Sequence, residues 1–76
     1  MPRLYGALSP EAWMAELFGS QSAIRGQVIR RSRRDVERYA GMDALKAEVA
    51  RRGYRAVENS GQVVIFCNRA PITRLV

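Results

Sequence analysis

Few of the residues that carry out chemistry are present in this sequence. Its 76 residues include no histidine and a single cysteine, Cys67. Histidine-based triads and proton shuttles are therefore excluded. One cysteine can form neither an internal disulfide nor a zinc site, which takes four Cys- or His-type ligands. Neither a Gly-x-x-x-x-Gly-Lys phosphate loop nor a Gly-x-Gly-x-x-Gly turn occurs. Asp35 and Glu37 lie two apart, and on a helix such residues point in different directions. Glu11 and Glu16 are similarly separated. Cys67 closes the apolar run Val63-Val64-Ile65-Phe66-Cys67. Without an activating base beside it, it reads as a small buried hydrophobe rather than a nucleophile. The expectation is a chain with no catalytic residues, no cofactor and no metal, and hence not an enzyme.

What the sequence can do is bind. Net charge is +6, and twelve of the thirteen basic residues are arginine, a side chain suited to bidentate contact with phosphate or carboxylate. Arg25, Arg30, Arg31, Arg33 and Arg34 form one block with no acid among them, while the flanking segments are close to neutral. That block is the first candidate surface, for an anionic partner such as nucleic acid phosphate or an acidic protein. Its competing reading is a solvated strand edge, where charge discourages edge pairing. Trp13, Met14, Leu17 and Phe18 are the second candidate. At helical spacing they make one apolar stripe, which either fills this domain's own core or docks in a partner's groove.

These residues must be positioned by a small set of elements. Ser9, Pro10 and Glu11 suit a helix start, and Gly19 a helix end, which gives a helix over 10–18. Residues 19–26 read as a linker. Gln27 to Arg31 could form a short strand. Ser32 with Asp35 resembles a capping box and starts a short helix over 33–40. The apolar faces of Val36 and Tyr39 and of Met42, Leu45 and Val49 are out of phase, so a break at Gly41 separates a second helix, 42–52. Gly53 ends it. Strands follow at 54–58, 62–67 and 72–76, with a turn at Asn59-Ser60-Gly61. The unbroken apolar run makes 62–67 the central strand, covered on both faces. The expected architecture is α+β: a three-stranded antiparallel meander with helix 42–52 on one face. Residues 27–76 would be the core domain and 1–26 an N-terminal arm.

A chain this short is marginally stable alone, so core packing, self-association or docking must support it. No run approaches the roughly 20 apolar residues that span a bilayer, so no membrane partner is expected. The first residues show no secretory signal pattern, and the thiol is free, which together suggest the cytoplasm.

Two resemblances add to this reading. From Leu45 onward the order helix, Arg52-Gly53-Tyr54, strand, Gly61, Ile65-Phe66 resembles the HicA toxin family, which has a double-stranded-RNA-binding-like fold. The likeness implies an α-β-β-β outline. Val63 stands where that family has its histidine, which implies no RNA cleavage. The motifs Arg34-Asp35-Val36-Glu37-Arg38, Arg51-Arg52-Gly53-Tyr54 and Gln62-Val63-Val64-Ile65-Phe66-Cys67-Asn68 resemble short alphaproteobacterial proteins, some phage-related. Some of those carry a phosphoribosylanthranilate isomerase label, an activity whose barrel is typically 200 residues or more. This likeness implies a lineage, and a place in the cytoplasm or a phage particle. The resulting expectation is a non-catalytic accessory or structural protein docking on a larger protein or nucleoprotein assembly. The alternative is a basic RNA- or DNA-binding module.

Overall fold

A computed structural model describes residues 9–76. Along the chain lie α1 (Pro10–Phe18), α2 (Gln21–Ile24), β1 (Val28–Ser32), α3 (Arg33–Tyr39), α4 (Met42–Arg52), β2 (Arg55–Asn59) and β3 (Gln62–Phe66). The class is α+β, with a three-stranded antiparallel sheet in the order β1-β3-β2.

Local chemistry sets most element ends. The Ser9 hydroxyl accepts from the Ala12 N–H at 3.0 Å and Pro10 opens α1. The Ser32 hydroxyl accepts from the Asp35 N–H at 3.1 Å and starts α3. Gly53, at φ 75°, closes α4 in a Schellman motif. There the Tyr54 N–H donates to the Val49 carbonyl and the Gly53 N–H to that of Ala50, each at 3.0 Å. Ser60 and Gly61 both have positive φ, 51° and 76°, which makes the β2–β3 connection a two-residue type I′ hairpin.

Three expectations are corrected. Residues 72–76 form no strand and are exposed. β3 has two sides to pair, and β1 and β2 occupy both of them. The chain leaves the sheet after Cys67 because the Asn68 side chain turns it. Its amide donates to the Gly26 carbonyl at 2.9 Å and its oxygen accepts from the Ala70 N–H at 3.0 Å, just before Pro71. The third strand therefore comes from upstream, so the sheet is not a sequential meander and the chain does not follow an α-β-β-β order. Next, 19–26 is not a plain linker. Ser20 caps the single turn of α2, whose Ala23 is buried. Lastly, β3 is central but, among the described residues, the helices cover one of its faces only.

Strand alternation makes that last point explicit. Ile29 lies opposite Ile65, and Arg31 opposite Val63, on one face of the sheet. Ile29, Val63, Ile65 and Cys67 on that face join Val36, Leu45 and Val49 from the helices in a single buried core. Leu17, Phe18 and Ala23 belong to the same core, so the boundary at residue 26 does not divide two cores; residues 1–8 of the proposed arm lie outside the described residues. Leu45 and Ile65 are essentially without exposure. Leu45→Ala is expected to cost about 2–5 kcal/mol, a large share of a small domain's stability. Phe18→Ala should likewise lower the midpoint of one cooperative transition in urea, and not release an arm from a domain that stays folded.

Candidate functional site

The apolar stripe of α1 is engaged within the molecule. Leu17 and Phe18 are buried, and Trp13 and Met14 pack against the core. The Trp13 ring stacks on Tyr39 of α3, with centroids 6.1 Å apart and planes 15° from parallel. Phe18 meets Tyr54 at 6.1 Å on one side and the Arg52 guanidinium at 4.6 Å on its face. Two of the four residues read as partner-binding are thus inside, and the other two are partly covered.

Arg52 is held in that position by Glu48, to which it donates at 2.6 Å, and Arg51 binds the same carboxylate. The hydrogen bond from Arg51, then that from Arg52, hold the Glu48 carboxyl at a pKa of about 2. Glu48 thus holds Arg52 over the Phe18 ring, where the end of α4 meets α1.

The arginine block does not form one surface. Strand alternation sends Arg30 and Arg31 to opposite faces of β1. Arg31 donates to the Arg30 carbonyl at 2.7 Å and borders a hollow beside Trp13 and Leu17 on the helical side. Arg33 is held between Glu37, at 2.8 Å, and Glu58, at 2.6 Å, which raise its pKa. Arg25 follows α2, and Arg34 lies in the first turn of α3, both exposed. The structure separates residues that the sequence sets side by side.

A different arrangement emerges on the sheet face away from the core. Register places Val28, Phe66 and Arg55 in one row across the three strands, and Arg30, Val64 and Val57 in the next. None of these six belongs to the buried core. Val28 and Val57 are 47% and 48% exposed, Val64 and Phe66 are half-buried, and both arginines are exposed. Neither Arg30 nor Arg55 forms an ion pair among the described residues. Asn59 and Gln62, both exposed, are paired at the hairpin end of the sheet.

The acids are elsewhere. Glu11 and Glu16 are on α1, Asp35 and Glu37 on α3, Asp43 and Glu48 on α4. Glu58 is opposite Val63 and so faces the helices, where it meets Arg33. The sequence has no further carboxylate side chain. Among the described residues that face thus combines two guanidinium groups outside any ion pair, an aromatic ring and an apolar strip, with no acidic side chain. Sequence reading found Arg30 but missed Arg55 and Phe66. The usable signal was the parity of β2 and β3, once only one face of β3 is covered.

Cys67 is buried on the opposite side, and burial pushes its thiol pKa up against a smaller opposing pull from Arg52. Such a thiol is not activated. Among the described residues no cluster of three or more His, Cys, Asp or Glu side chains could hold a metal ion. No helix there is long and apolar enough to cross a membrane.

A pH dependence follows from Glu48. Its ordinary pKa in an unfolded chain is about 4.3, against about 2 here. The depressed carboxyl adds stability that is fully present above about pH 5 and is lost as pH falls from about 4 through about 2. Glu48→Gln should therefore lower stability to urea at pH 7, and its deficit relative to the unaltered chain should close near pH 2.

Comparison with protein-family models, with curated proteins and with solved structures finds no match to this chain.

Proposed function

We propose that this protein is a non-catalytic binding module that docks an anionic partner, within a larger nucleoprotein assembly, on the uncovered face of its sheet. The observation that carries this reading is the division of charge. All seven acids lie on α1, α3 and α4 or on the helix-facing side of β2, while Arg30 and Arg55, on the other face, form no ion pair among the described residues. A face of one sign draws an oppositely charged partner and orients its approach. Docking through the α1 stripe has less support, because Leu17 and Phe18 are already buried. Ribonuclease action of the HicA kind also finds little support, since Val63, in the histidine's place, is 2% exposed and turned into the core.

The test separates a specific face from net charge. Arg30→Glu/Arg55→Glu and Arg34→Glu/Arg38→Glu change the total charge equally but lie on different surfaces. On immobilised heparin, used as a polyanion, the first pair should elute at clearly lower salt than the second. Equal elution of the two would mean that charge alone acts, and would contradict the proposal.

A further inference from the structure

We infer that the uncovered sheet face takes single-stranded RNA, with Phe66 as a stacking platform and Arg30 and Arg55 on the phosphates. This rests on the anionic-partner reading and narrows it.

What lies between the charges decides which anion fits. Strands lie about 4.8 Å apart and alternate residues about 6.7 Å apart along a strand, so Arg30 and Arg55 stand about 12 Å apart on a diagonal. Val64 and Phe66 occupy the middle strand between them. A duplex meets a protein surface with its phosphates outward and its bases stacked inside, so it would leave this apolar strip uncovered. A single strand offers both components, phosphates for guanidinium groups and free base faces for an aromatic ring. Phe66 is half-buried and stands in the middle of a row between Val28 and Arg55 on this face. An acidic protein surface would use the arginines but would gain nothing from ring stacking.

Asn59 and Gln62 select RNA over DNA. They stand opposite each other at the hairpin end of the same face, exposed. Each amide is both donor and acceptor, as is the ribose 2′-hydroxyl. A strand running from Arg55 and Phe66 toward the hairpin brings its sugars to these two side chains.

The experiment uses fluorescence anisotropy of the full chain with labelled oligonucleotides of about 12 nucleotides, within the usual site size of single-strand binders. The probes are a mixed-sequence RNA strand, its DNA counterpart and the RNA duplex. The RNA strand should bind about tenfold more tightly than the duplex, and more tightly than the DNA strand. Phe66→Leu should lose about tenfold in RNA affinity, as for one stacked base, with its heparin elution unchanged. Phe66→Trp should keep RNA affinity within about twofold, and the single strand should quench its added indole emission while the duplex does not. This second variant serves if the leucine variant fails to fold. Arg30→Glu/Arg55→Glu should lower the log–log salt slope by about 1.4, the share of two phosphate contacts on a single strand. Unchanged RNA affinity in folded Phe66→Leu, alongside loss in the arginine variant, would overturn the stacking inference and leave the anionic-partner reading standing. Equal affinity for DNA or duplex would overturn the RNA assignment. Arginine variants that bind as tightly as the unaltered chain would overturn both.

Discussion

Strand β3 is apolar on both of its faces, but the helices cover only one. Val63, Ile65 and Cys67 turn toward them and are buried, whereas Val64 and Phe66 turn away and are not part of the core. Small size enforces this asymmetry. A short chain has a high ratio of surface to volume and can build one packed layer against a sheet, not two. All the larger buried side chains, from Leu17 and Phe18 to Val36, Leu45 and Val49, are committed to that one layer. The second face of the sheet is what remains, and its composition decides what the protein can meet.

That composition is set by strand pairing. Because β1 and β2 flank β3 in fixed register, Arg30 and Arg55, distant in sequence, are placed on either side of the same central strand. Arg31 and Glu58, their immediate or near neighbours in sequence, are sent to the opposite face. A slip of one residue in β2 would put the Glu58 carboxylate on the exposed face and Arg55 on the core side, and a slip in β1 would turn Ile29 out of the core. The type I′ turn at Ser60 and Gly61 guards against this for β2. For β1, Ile29 fitting against Ile65 does the same work.

Much of the local structure was legible in the sequence. Ser9-Pro10, Ser32 with Asp35, Gly41, Gly53 and Ser60-Gly61 each mark an element end through a backbone requirement that few residues meet, and the helix bounds at 10–18 and 42–52 follow from them. What failed was the choice among equals. Segments 28–32 and 72–76 are both short and rich in β-branched or alternating residues. Only closure of the sheet, with both sides of β3 taken, tells them apart. The four residues of α2 are too few to show a period. The composition of the exposed sheet face was hidden for a related reason. A run of five arginines in ten residues looks like one patch, yet alternation and ion pairing disperse it, while the arginine that joins Arg30 stands twenty-five residues away in the chain at Arg55.

The central claim is that the sheet face away from the helices is the one that meets an RNA strand. The most direct measurement is an NMR titration of the isotopically labelled protein with the single-stranded RNA, following backbone amide shifts. The largest changes are expected on Val28, Arg30, Arg55, Val57, Val64 and Phe66, with the amides of α3 and α4 nearly unmoved. Changes concentrated on α3 and α4, with the sheet residues silent, would contradict it.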